Sequence, residues 1–198
     1  MTPRPTPSPR PFLEGVRVLD ITLALAGPYC TTVLSDLGAE VVKVEPVAGE
    51  SMRRRSLSES AEALPFAMLH RNKGSLAVDL KAPEGRDLLR RLAGRVDVLV
   101  QNFRAGAMDR LGLGYDDLSA LNPDLVYCSI SGFGQSGPLR DVKGIDLIAQ
   151  AYGGLMSVTG TEDGELAKAG FAVGDIGAGM WGAIGVLAAL HRVRAGGG

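Results

Sequence analysis

The stretch VRVLDITLALAGPYCTTVLSDLGAEVVKVE, residues 16–45, decides the fold. It opens with VRVLDI (residues 16–21), a short run rich in apolar and β-branched side chains, which is how a buried strand reads. After a Gly27-Pro28 break, PYCTTVLSDLG (residues 28–38) repeats apolar side chains at helical spacing until Gly38 stops it. VVKVE (residues 41–45) is a second strand. A strand, a helix and a strand in so short a span form a crossover unit whose strands pair in parallel.

The same alternation continues outward. SLAVDL (residues 75–80) and DVLVQ (residues 97–101) read as strands, and PEGRDLLRRLAGR between them reads as a helix, with Pro83 in its first turn and Gly94 near its end. LVYCSIS (residues 125–131) is a further strand. Residues 180–190 are the longest apolar run, about half of the roughly 20 residues that a bilayer crossing needs, and they predict a buried helix. The expected architecture is therefore α/β, an open parallel Rossmann-like sheet flanked by helices. Ligands on such sheets sit beyond the carboxyl ends of the strands, so the loops after Ile21, Glu45, Gln101 and Ser131 form one candidate rim. Residues 46–65 make a stretch too long to be a mere connector.

Composition narrows the function. Of 198 residues, 45% are hydrophobic and 22% charged, the profile of a globular protein with one large domain, or a domain and a fragment. Lys and Arg (21) nearly balance Asp and Glu (22), so no global field draws the chain to nucleic acid or a membrane, and any anion site must be local. Cys30 and Cys128 make neither a disulfide framework nor a metal site, which points to a reducing cytoplasm. The start, MTPRPTPSPRPF, has no apolar signal core and predicts a disordered tail over residues 1–12, with the domain over 13–198.

A dinucleotide site is disfavoured. TLALAGPYCTTVL carries one glycine followed by proline, where a pyrophosphate-binding turn needs G-x-G-x-x-G. The chain also lacks the G-x-S-x-G elbow of serine hydrolases and any metal-ligand spacing for His70 and His191.

Four segments read together are more specific: residues 15–46, residues 69–89, residues 97–138 ending in NPDLVYCSISGFGQSGP, and GIDLIAQAYGGLMSVTG followed by GDIGAGMWGAIGVLAAL. In order and spacing they resemble the first half of the class III coenzyme A transferases, the family of formyl-CoA, carnitine and bile-acid CoA transferases and of related acyl-CoA racemases. The resemblance implies transfer of CoA between an acyl-CoA and a carboxylic acid, with the CoA thioester as substrate and no resident cofactor or metal. It also implies a chain of about twice this length, whose C-terminal half is absent here, and a homodimer of full-length chains.

The catalytic residue it implies is Asp175, in Gly174-Asp175-Ile176-Gly177-Ala178-Gly179-Met180. Asp175 directly precedes a long apolar run and is expected at the helix N-cap, where backbone N–H groups favour a carboxylate. That position alone favours a purely capping role, which is what most aspartates at helix starts play. Glycines 174, 177 and 179 leave room for a thioester or allow close helix packing. The resemblance assigns CoA contacts to Leu25 and Ala26, to His70, Arg71, Asn72 and Lys73, to Asn102, Phe103 and Arg104, and to Arg110 and Lys143. Lys73 is the expected phosphate partner. Arg53 to Arg55 read as a solvated face or a further phosphate contact. The racemases carry G-H-D where this chain has Gly144-Ile145-Asp146, and isoleucine cannot move a proton. A non-catalytic CoA-binding fragment is the remaining alternative.

Overall fold

Five short strands form one parallel sheet in the order β3-β2-β1-β4-β5. The structure, a computed structural model, describes residues 10–54, 64–161 and 163–197. The strands are β1 (Arg17–Ile21), β2 (Glu40–Glu45), β3 (Lys73–Ala77), β4 (Val98–Gln101) and β5 (Val126–Ser129). Between β1 and β2 lies α1 (Ala26–Asp36); α2 (Leu64–His70) precedes β3, and α3 (Pro83–Ala93) precedes β4. Two short helices, α4 (Ala107–Arg110) and α5 (Tyr115–Ser119), lead to β5, and α6 (Asp146–Tyr152) and α7 (Val173–Arg194) complete the chain.

The alternation read from the sequence is the alternation observed, with Pro83 in the first turn of α3 and Gly94 as its C-cap. The third strand begins at Lys73 rather than Ser75, because Val41 to Glu45 of β2 pair with Lys73 to Ala77. Each face of the sheet has its own core. On one side Val16, Val18, Val41, Val98 and Val100 pack with Cys30 and Leu34 of α1 and with Ala183, Val186 and Leu190 of α7. On the other, Leu19, Val44 and Leu99 pack with Leu89 and Ala93 of α3 and with Leu113 and Leu118.

The last helix differs from its expectation. It runs from Val173 to Arg194, well beyond the apolar run, and it is not buried all round. Gly179, Ala183, Val186 and Leu190 face inward, while Met180, Ile184 and Trp181, the last 73% exposed, face outward. By length and mean hydropathy alone α7 is long and apolar enough to cross a membrane, but its small-residue face is the layer packed on α1 and β5. The expected tail falls, for residues 1–9, outside the described residues. Pro11 is already docked, since a Cβ on Gly38 would meet Pro11 Cβ at 2.2 Å.

Strand order turns at β1: the chain moves one way to β2 and β3, then returns to place β4 on the other flank. The loops after β1 and β4 therefore diverge, and a crevice opens between them.

Candidate active site

A cavity of about 440 Å³ occupies that crevice. Its walls are the loop after β1, the loop after β4, the segment after β5 and the first turns of α6 and α7. Leu25, Ala26, Asn102, Phe103, Arg104, Lys143 and Asp175 all line it. Residues separated by as much as 150 positions in sequence thus meet at one place, on the rim formed by the ends of β1, β4 and β5.

Asp175 stands in the first turn of α7, not at its N-cap, because the helix starts earlier, with Ala172 in the capping position and no side chain of its own to offer. The orphan N–H groups are served from another helix. Asp146, the first residue of α6, accepts hydrogen bonds at Oδ1 from Gly174 N (2.8 Å) and Asp175 N (3.3 Å). Gln150 fixes Asp146 in turn: its Nε2 donates to Asp146 Oδ2 (2.6 Å), while its Oε1 accepts from Ala169 N (2.8 Å). A capping carboxylate supplied in this way satisfies the helix start and leaves the Asp175 carboxylate with no hydrogen-bond partner among the described residues. Partial burial, and then the neighbouring charge of Asp146, push the Asp175 carboxyl above its ordinary value.

The loop after β1 is held with equal care. Asn102 clasps Leu23 from both sides, accepting from its N–H (2.8 Å) and donating to its carbonyl (2.7 Å). Gly27 lies so near Thr22 that a Cβ there would sit 2.4 Å from the threonine Cβ, so only glycine fits. Arg104, Arg140 and Lys143 border the cavity and give this nearly neutral chain a local cationic margin. Ile145 also lines the wall.

The segment of residues 70–73 lies elsewhere. The Lys73 side chain is almost fully buried, its Nζ 3.1 Å from Asp20 Oδ2, 2.7 Å from Thr31 Oγ1, 3.0 Å from the Pro28 carbonyl and 3.5 Å from His70 Nδ1. It does not face the cavity, and its charge is spent on Asp20. Burial alone would raise the Asp20 carboxyl, but Lys73, Lys43 and the hydroxyls of Thr22 and Thr31 hold it below its usual range. His70, buried and beside two ammonium groups, is pushed down to about 3 and is neutral. Arg71 pairs with Asp36 on the surface, and Asn72 adopts a left-handed turn (φ 61°) with its carbonyl accepting from Ser35 Oγ. Arg110 is exposed at the end of α4 and lies back over Gly106. Arg53 stays exposed, but its guanidinium holds the buried Glu45 with two 2.6 Å hydrogen bonds and covers the Phe66 ring at 3.9 Å. Arg55 and the side chain of Arg54 lie outside the described residues.

Sequence reading passed over Asp146, Glu50 and Lys43. Asp146 reads as an ordinary first-turn acid of its own helix; its reach to α7 is tertiary. Lys43 left a signal, a charge inside the apolar run VVKVE, as did Asp20 in VRVLDI. Charges at inward positions of two neighbouring strands imply a buried ionic cluster.

Residues 13–198 match the sequence profile of CoA-transferase family III. A succinate–glutarate CoA-transferase of Agrobacterium fabrum is 42% identical over 199 residues, which cover 96% of this chain and 50% of that protein. A formyl-CoA:oxalate CoA-transferase of Streptomyces avermitilis is 44% identical over 182 residues, 91% of this chain and 44% of that one. The crystal structure of a CAIB/BAIF family protein from Brucella suis superposes with a TM-score of 0.88 at 41% identity, covering 94% of this chain and 51% of that chain. The chain spans about half the length of the curated relatives it matches.

Proposed function

The chain belongs to CoA-transferase family III, and from that premise we propose that its protein moves CoA from an acyl-CoA donor to a carboxylic acid through an aspartyl-CoA thioester on Asp175. The observation that carries this reading is the unengaged Asp175 carboxylate, which lines the cavity while Asp146 caps its helix.

In the proposed sequence an Asp175 carboxylate oxygen attacks the donor thioester carbonyl, a mixed anhydride forms, and CoA leaves as thiolate. The thiolate attacks the Asp175 carbonyl carbon, releasing the donor acid and leaving the aspartyl-CoA thioester. The acceptor carboxylate then attacks that thioester to give a second anhydride, and the thiolate returns to the acceptor's acyl carbon, freeing Asp175. Backbone N–H groups at the cavity wall would stabilise the oxyanions, and Arg104, Arg140 and Lys143 would meet CoA phosphates or the acid's carboxylate. Lys73 is assigned an internal structural part, since its ammonium is already paired. The relatives are named for succinyl-CoA and formyl-CoA and for the acids succinate, glutarate and oxalate; a small carboxylic acid is the proposed acceptor class.

This activity is proposed for the whole protein, as a homodimer, in the cytoplasm, where the free thiols of Cys30 and Cys128 are kept reduced. The test is exchange of a labelled free carboxylic acid into its acyl-CoA by that protein. Asp175→Asn should abolish exchange; undiminished exchange, with deamidation excluded by mass, would refute the role of Asp175.

A further inference from the structure

Glu50 does not line this cavity but lies just behind its wall, and the residue is only 1% exposed. Its Oε1 accepts the backbone N–H of Ala24 at 2.9 Å. Ala24 is a non-glycine residue in the left-handed region (φ 63°), a conformation that costs roughly 1–2 kcal/mol and persists only where surroundings impose it. The next two residues, Leu25 and Ala26, form the cavity wall and the start of α1. A turn that is intrinsically unfavourable therefore sets the direction in which this wall presents its backbone.

Glu50 is itself anchored. Its N–H donates to Glu45 Oε2 (3.1 Å), and Glu45 is gripped by Arg53 and Ser75. Its second oxygen forms an ion pair with Lys43 Nζ at 3.1 Å and lies 3.5 Å from Nε2 of the neutral His70, without a directed hydrogen bond to either. Lys43 donates to the Thr22 carbonyl in the same loop. The buried charges beneath the sheet edge thus converge on residues 22–24.

We propose that Glu50 is a positioning residue for acyl-CoA binding: by holding the Ala24 N–H it locks the left-handed turn that shapes the Leu25–Ala26 wall of the cavity. The inference rests on the reading of that cavity as the CoA site. Asp175 is held by the packing of α7 along the length of α1 and by the Asp146 cap, and Glu50 makes none of these contacts, so losing Glu50 should weaken binding of CoA without removing the nucleophile. Such a change acts on the ground and transition states alike and appears in KM rather than kcat.

The test uses the full-length protein. Glu50→Ala strands a buried Lys43 charge and can unfold the chain, so it is accompanied by Lys43→Met/Glu50→Leu, which replaces both charges by apolar groups of similar size. In either folded variant KM for acyl-CoA, and Kd for CoA by calorimetry, should rise by about tenfold while kcat changes by less than about threefold. Glu50→Gln keeps an acceptor for Ala24 N–H and should stay near wild type. Adding Ala24→Gly to the apolar pair should recover most of the lost affinity, because glycine takes the turn without strain. An apolar pair that is folded and binds CoA like wild type would overturn the proposal, as would failure of Ala24→Gly to restore binding. Failure of the wild-type protein to bind CoA would instead refute the proposed function.

Discussion

Asp146 caps the start of α7 and so leaves the Asp175 carboxylate free of that task. Because burial and Asp146 raise the Asp175 carboxyl, its ionised form is lost at a higher pH than for a free aspartate as the pH falls. Formation of the covalent intermediate should accordingly show an acid limb above the ordinary aspartate value of 3.8. Asp146→Asn keeps a capping oxygen but removes the charge, so the limb should move to lower pH; a limb that stays in place would deny the coupling. Asp146→Ala should in addition cost about 1 kcal/mol of stability, the worth of an N-cap. A raised carboxyl pKa means that the ionised group opposes folding at neutral pH, so Asp175→Asn should leave stability unchanged or slightly higher. Only the family resemblance singled out Asp175 from the sequence; its freedom from capping was not legible, because the residue that caps its helix lies 29 positions away. Lys73 shows the converse. Its charge was legible and its partner, Asp20, 53 positions upstream, was not.

The contact between α1 and α7 fixes where Asp175 stands. Gly179 and Gly182 form a notch on α7: a Cβ at Gly179 would lie 2.6 Å from the Ala26 carbonyl oxygen, and one at Gly182 would lie 2.9 Å from Ile130 Cδ1. Gly177, two residues nearer Asp175, has nothing within 4 Å. Gly179→Ala should therefore push the helices apart at a cost of about 1–3 kcal/mol. Gly177→Ala should stabilise α7 by about 1 kcal/mol through helix propensity. Urea denaturation of the two variants checks this, and equal shifts of the midpoint in one direction would contradict the packing account. Strands and crossovers were legible because apolar β-branched runs recur between helical spacings. The start of α7 was not, since Ala172 carries no capping signal, and neither was its one-sided burial, because glycines and alanines leave the apolar run nearly the same on every face.

At the scale of the molecule, the sheet order carries the argument from fold to function. Reversal at β1 opens the crevice, β1 and β4 aim their following loops into it, and α7 delivers a carboxylate to its floor. Trp181, Met180 and Ile184 leave an apolar outer face on the same helix that bears Asp175. The chain spans about half the length of the relatives it matches, so the proposed transfer is tested on a protein that carries this chain and has their length. That protein, incubated with an acyl-CoA and quenched rapidly, should yield by intact mass a species heavier by CoA less one water, mapped by peptide analysis to Asp175 and absent from Asp175→Asn. An active preparation whose label maps to any other residue, or that transfers CoA with Asp175 replaced, would contradict the account.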